Sequence, residues 1–189
     1  MLLYLYSRKK AEHEKTGWYR GGFEIKCFKN NILKKGNSFY YTFQFKLTFC
    51  CNLILDEKDE VFVSSIHPYS FSDLTSFLQE ICVPSNYDKI RSSLLARTIS
   101  TNPLYLVLIT NFSASFEEIG NRKAIVFTAR IHPRFSSNSE TNSSFIIEGI
   151  IRFLLGNSKE ANKLRNEYLF KIVPMINPDG VIAGNCRCS

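Results

Sequence analysis

Residues 41–49, YTFQFKLTF, alternate strictly: Tyr41, Phe43, Phe45, Leu47 and Phe49 fall on one side, Thr42, Gln44, Lys46 and Thr48 on the other. A period of two places successive side chains on opposite faces of a pleated strand, so this segment predicts a half-buried strand with one wet face. FEIKCF at 23–28, closed by Asn30-Asn31, and VFVSSI at 61–66, after the acidic turn Asp56 to Glu60, read as further strands. Residues 1–66 therefore predict an antiparallel, sheet-forming piece.

The hydrophobic period then changes. Leu74, Phe77, Leu78 and Ile81 recur at three and four residues, which predicts a helix capped by Ser72 and ending before Pro84. The spacing predicts a second helix over Tyr87–Ala96, strands at 104–110 (LYLVLIT) and 124–131 (AIVFTARI), helices over Ser144–Leu155 and Ser158–Tyr168, and a strand at 169–176 (LFKIVPMI). The last two strands are continuously apolar, as strands covered by helices on both faces are. The fold class is α/β: a partial N-terminal β domain at 1–66, then a mixed-sheet α/β domain at 67–189.

The charge is lopsided: residues 1–50 hold ten Lys/Arg against three Asp/Glu, whereas residues 51–189 hold fourteen of each. Such a basic stretch is either a solvated face or an attractor of polyanions, and charge alone does not choose. No apolar run approaches a membrane span, and Met1 to Tyr6 is too short for a signal-peptide core. Cys27, Cys50, Cys51, Cys82, Cys186 and Cys188 lack the spacing of a secreted disulfide scaffold, and no CxxC pair completes a zinc cluster with Cys186 and Cys188. A cytoplasmic protein with reduced thiols is expected.

The polar run Phe135 to Ser144 joins a buried strand to a helix, the kind of C-terminal strand edge where open α/β sheets bind ligands. His132 directly follows the strand AIVFTARI, and Glu140 opens the helix beyond the loop. An imidazole and a carboxylate are two of the three protein donors a hydrolytic zinc takes. Residues of these types flanking a loop are otherwise ordinary surface groups, so both readings stand at this point. His67, ahead of a helix, suits local packing or capping, and His13 lies among charges in a loop.

FTARIHP, ETNSS, FLLGNS and FKIVPMINPDGVIAGNCRCS together resemble the catalytic core of the cytosolic carboxypeptidases, the branch of the M14 zinc metallocarboxypeptidases that trims glutamates from tubulin and other proteins. LYSRKK, GWYRGG, YTFQFKLTF and HPYSFSDL extend the likeness over nearly the whole chain. The resemblance implies zinc as cofactor, His132 and Glu140 as its first two ligands, and Arg187 as the oxyanion-stabilising arginine, a role suited to a permanently charged multiple donor. NPDG, at Asn177 to Gly180, reads as a turn that aims the Arg187 segment.

The sequence departs from the family in two respects. Where the family has a compact HPGE, this chain reads HPRFSSNSE, with Arg134 replacing the glycine and five additional residues before the glutamate. The longer loop forfeits preorganisation of the two ligands, and Arg134 brings a cation towards the metal. The family's third histidine, general-base glutamate and carboxylate-binding Asn-Arg pair have no counterpart in these 189 residues, and the likeness begins inside the family's N-terminal β-sandwich. The expected protein is a metallocarboxypeptidase-like chain, truncated at both ends, whose family acts on acidic protein C-termini or glutamate side chains, tubulin among them, and which is inactive by itself. The alternative is a non-catalytic basic module, residues 8–46, that holds acidic tails. Nucleic acid, for which no reading motif is present, and membrane are not expected as partners.

Overall fold

The structure is a computed structural model that describes residues 3–21, 23–29, 34–35, 41–42, 45–50, 59–64, 66–133 and 139–185. The chain divides into two compact units, Met1–Pro68 and Tyr69–Ser189.

In the first unit, β1 (Leu3–Ser7) is the middle strand of a three-stranded antiparallel sheet, between β2 (Tyr19–Gly21) and β7 (Val61–Ser64). A short helix α1 (Arg8–His13) leaves β1 at Ser7, whose hydroxyl donates to Asp59 at 2.6 Å and accepts from the Lys10 amide at 3.1 Å. Its formation places His13 in a last helical turn, correcting the loop expected there. His67 packs its ring edge-on to Tyr4 with centroids 5.4 Å apart, and its Nδ1 lies 2.9 Å from the Pro68 carbonyl oxygen. Two further antiparallel pairs lie among the described residues of the unit: β3 (Phe23–Lys29) with β6 (Phe45–Cys50), and β4 (Lys34–Lys35) with β5 (Tyr41–Thr42). The backbone of the alternating segment is thus strand at both ends, while the sides taken by its side chains lie outside the described residues.

The second unit opens with α2 (Phe71–Ile81), whose Leu74, Phe77, Leu78 and Ile81 are all buried, as their spacing requires. Its cap is Ser70 rather than Ser72: Ser70 Oγ accepts from the Asp73 amide at 3.1 Å, and the Asp73 carboxylate accepts from the Ser70 amide at 2.7 Å. This reciprocal box satisfies two amides that a cap at Ser72 would leave open. After a 3₁₀ turn at Pro84–Asn86 come β8 (Ile90–Arg97), β9 (Pro103–Ile109), α3 (Phe116–Asn121), β10 (Lys123–Thr128), α4 (Ser139–Leu155), α5 (Lys159–Glu167), β11 (Tyr168–Val173) and α6 (Pro178–Ala183).

The sheet order is β10-β11-β9-β8, with β10 and β11 parallel and the other pairs antiparallel. A parallel pair needs a long crossover, which α4 and α5 supply. Two expectations change here. Residues 90–97 form a strand in a hairpin with β9 in place of the helix expected over Tyr87–Ala96, and only Ile90 of that strand is buried. In β10 just Ile125 and Phe127 are half-buried, while Val126 is 62% exposed, so one face of this strand is open and the two-faced covering expected of it does not hold. The core lies between α2, α4 and the sheet: Ile147, Ile151 and Leu154 meet Ile90, Val107, Ile109, Phe170, Ile172 and Met175. Each such side chain contributes about 1.5–3 kcal/mol on burial.

Candidate metal centre

The parallel pair continues beyond its last strand residues. The Ala129 amide donates to Val173 O at 3.1 Å, the Ile176 amide to Ala129 O at 2.9 Å, and the Asn177 amide to Arg130 O at 3.1 Å. The segment that carries His132 is thereby zipped to the segment that enters α6. NPDG is a helix start, not the turn expected of it. Asn177 caps α6 by accepting from the Gly180 amide at 2.9 Å, and Pro178 occupies the first turn, where its missing N–H costs nothing. Gly180 serves close approach: a Cβ there would lie 2.5 Å from Pro133 Cγ. Pro133, adjacent to His132, is buried on that seat, and His132 itself stands exposed in the bend.

Asp179 ties α6 to the β8–β9 hairpin. Its carboxylate accepts from Thr98 Oγ1 at 2.6 Å, Asn102 Nδ2 at 2.8 Å and the Ser100 amide at 3.1 Å. These bonds, Thr98 foremost and then Asn102, hold the carboxyl down to about 2. A depressed carboxyl stabilises the fold above its unfolded value near 3.8 and loses that contribution as pH falls towards 2. Acid unfolding of Asp179→Asn is therefore expected to show a shallower loss of stability between about pH 4 and pH 2 than the parent; superimposable pH profiles in denaturant titrations would remove Asp179 from that role.

Glu140 lies half-buried in the first turn of α4, a helix that begins five residues before the Ser144 start expected for it. Arg130 is 4% exposed and holds a φ of 55°, a conformation that costs a non-glycine residue about 1–3 kcal/mol and clusters at functional sites. Its Nη2 donates to Tyr69 O at 3.3 Å, whereas Nε and Nη1 are buried with no hydrogen-bond partner among the described residues. Burial pulls the guanidinium below its ordinary value, with the Glu140 carboxylate pulling back. The Tyr69 hydroxyl donates to Glu148 Oε1 at 2.8 Å, and burial followed by that bond holds the phenol well above its usual range, so it stays a donor. Ser143 joins the two sides: its Oγ lies 3.4 Å from the donating Arg130 amide and donates to Glu140 O at 2.5 Å.

The donors suit zinc in kind but are short in number. An exposed imidazole and a half-buried carboxylate flank the same strand end, yet among the described residues no group of three or more His, Cys, Asp or Glu gathers to hold a metal, and no hydrogen bond or ion pair joins His132 to Glu140. Arg187 and Arg134 lie outside the described residues. Cys82, half-buried, is a free thiol pushed up by burial. Arg130, Ser143 and the Gly180 seat went unread in the sequence, since each acts only where distant segments meet. A polar cleft of about 880 Å³ lies at the opposite ends of β10 and β11, beside Lys123 and Tyr168, and its Arg122 is already engaged by Thr110 Oγ1 at 2.7 Å and Asn111 O at 3.0 Å.

Comparison with known proteins defines the class. The zinc carboxypeptidase (peptidase M14) family model matches residues 78–188. The chain belongs to the M14 zinc carboxypeptidase family. Within it, the chain is 39% identical over 190 aligned residues to cytosolic carboxypeptidase 3 of Mus musculus and 38% identical over 191 to cytosolic carboxypeptidase 2 of the same organism. Those alignments cover 97% and 98% of this chain but 17% and 20% of the relatives, so it spans about a fifth of their length. The metallo-carboxypeptidase from Burkholderia cenocepacia shares the fold, with a TM-score of 0.64 over 100% of this chain and 41% of that one, at 20% identity.

Proposed function

We propose that the protein is a zinc-dependent carboxypeptidase that removes glutamates from acidic protein tails, tubulin among them, in the cytoplasm, and that residues 1–189 alone do not hydrolyse such substrates. The supporting observation is the arrangement of Arg130, Ser143 and Glu140, which sets the strand end before His132 beside the helix turn that bears Glu140. His132 and Glu140 would hold the zinc, and Arg187 would donate to the oxyanion of the peptide carbonyl under attack. Zinc, when bound, supplies a Lewis acid and lowers the pKa of its water to about 7. The chain's own contribution is to fix the two donors on rigid elements, with Pro133 seated on Gly180 and Glu140 in a helical turn. Two donors bind zinc weakly, which underlies the expected lack of turnover.

No helix among the described residues is long and apolar enough to cross a membrane. The alternative reading is a non-catalytic basic module, residues 8–46, that holds acidic tails. Of its described cations, Arg8 pairs with Glu60 at 2.9 Å, Arg20 Nε donates to Tyr4 Oη at 3.0 Å and Lys10 sits 5.3 Å from the Tyr19 ring centroid. The test is direct. The purified 189-residue chain, given zinc and a polyglutamylated peptide, is expected to release no glutamate and to bind zinc weakly in a manner abolished by His132→Ala. Release of glutamate would overturn the inactivity, and zinc binding indifferent to His132→Ala would overturn the metal site.

A further inference from the structure

Along the chain, seven residues separate His132 from Glu140. A shorter, non-covalent path exists. Arg130 stands two residues before His132, its carbonyl held by the Asn177 amide at 3.1 Å and its own amide donating to Ser143 Oγ at 3.4 Å. The same hydroxyl donates to the carbonyl of Glu140 at 2.5 Å. We propose that Ser143 is a positioning residue that couples the two zinc donors, its hydroxyl bridging the strand end that leads to His132 and the helical turn that carries Glu140. This inference rests on the metal reading above.

The chemistry required is narrow. The bridge needs one group that accepts from an amide and donates to a carbonyl at once, which a hydroxyl does and a methyl does not. Threonine keeps that capacity, and its hydroxyl commonly bonds a carbonyl three or four residues back in a helix. Arg130, held in the left-handed region at φ 55°, has few ways to relax while its amide and carbonyl are both engaged, so the bend that presents His132 is set from two directions. The guanidinium adds a third tie, to Tyr69 O at 3.3 Å. Groups that orient metal ligands from behind alter metal affinity by about 10- to 100-fold when removed.

The experiment measures two quantities on the full chain and on its Ser143→Ala and Ser143→Thr variants: exchange of the Arg130 amide in metal-free protein, and zinc affinity by competition with a chromophoric chelator. Ser143→Ala is expected to speed Arg130 amide exchange and to weaken zinc about 10- to 100-fold, while Ser143→Thr stays close to the parent in both. Unchanged exchange in Ser143→Ala would overturn the bridge. Faster exchange with unchanged zinc affinity would overturn the positioning role and leave the metal reading intact. Loss of affinity in Ser143→Thr equal to that in Ser143→Ala would likewise overturn it. Zinc binding that His132→Ala leaves unaltered would overturn the metal reading itself, and the positioning role with it, whatever the amide shows.

Discussion

Replacing Arg165 with methionine is expected to lower the unfolding free energy by about 2–4 kcal/mol. Arg165 lies on the buried face of α5 and is 3% exposed. Its Nη1 donates to Gly156 O at 2.9 Å and to Leu154 O, and its Nη2 to Asn162 Oδ1. Leu154 and Gly156 are at the end of α4, where carbonyls have no amide of their own helix to accept from, so the guanidinium acts as the cap. Methionine keeps much of the stem's packing and removes every donor. Each carbonyl left buried and unpaired costs about 1–3 kcal/mol. The variant is best measured by denaturant unfolding next to Arg165→Lys, which keeps the charge but not the planar fork and is expected to recover only part of the loss. A penalty below about 1 kcal/mol for Arg165→Met would mean that water or another donor already serves those carbonyls.

The second large effect is expected at Gly180→Val. A Cβ at this position would meet Pro133 Cγ at 2.5 Å, Asn177 Nδ2 at 2.9 Å and Asn177 Oδ1 at 3.0 Å. Valine would thus push against the cap of α6 and against the proline next to His132 at once. Overpacking of this kind costs about 1–3 kcal/mol, and a displaced cap about 1 kcal/mol more. Zinc affinity is expected to fall along with stability, because the strain is relieved most readily by lifting Pro133 and turning His132 away. Gly149→Ala is the control. It sits in α4 with nothing within 4 Å of a new Cβ, and there alanine is expected to add about 0.5–1 kcal/mol. Chelator competition and thermal unfolding on both variants separate the outcomes: a Gly180→Val protein with parental zinc affinity would show that the proline seat does not set the histidine.

Much of the second unit was legible because its elements carry their own signals. The quartet Leu74, Phe77, Leu78 and Ile81 sits on one face of any helix built through it, and burial followed. Ser158 accepts from the Ala161 amide at 3.1 Å and starts α5 at the following residue. The failures have a common origin in long-range pairing. Tyr87, Ile90, Leu94 and Leu95 fit a helical template, yet β9 offers a continuous ladder with a bulge between Leu94 and Ala96, and the hairpin prevails even though Leu94 and Leu95 remain half exposed. β10 carries an apolar run like that of a covered strand, but only Ile125 and Phe127 on one of its faces are half-buried, and Val126 on the other is left open.

The candidate site divides in the same way. His132 and Glu140 are residue types in a suggestive order, which a sequence displays. Arg130 looks like any arginine at a strand end, and Ser143 like one of several serines in a polar run; neither type foretells a left-handed backbone or a hydroxyl shared between two segments. The glycine of NPDG was visible, but its reason was not, because the contact that demands it comes from Pro133, on the far side of α4, α5 and β11 in the chain.

The parallel register of β10 against β11, Lys123 opposite Tyr168 through Thr128 opposite Val173, also bears on how the molecule assembles. The β8–β9 hairpin closes a short loop, whereas β10 and β11 come together only after the whole α4–α5 excursion has been drawn in, a slower and entropically costlier event. The Ala129–Val173, Ala129–Ile176 and Arg130–Asn177 bonds, and with them the seat for Pro133, form only once that closure is made. During refolding, formation of the bend that carries His132 would therefore trail formation of the β8–β9 hairpin.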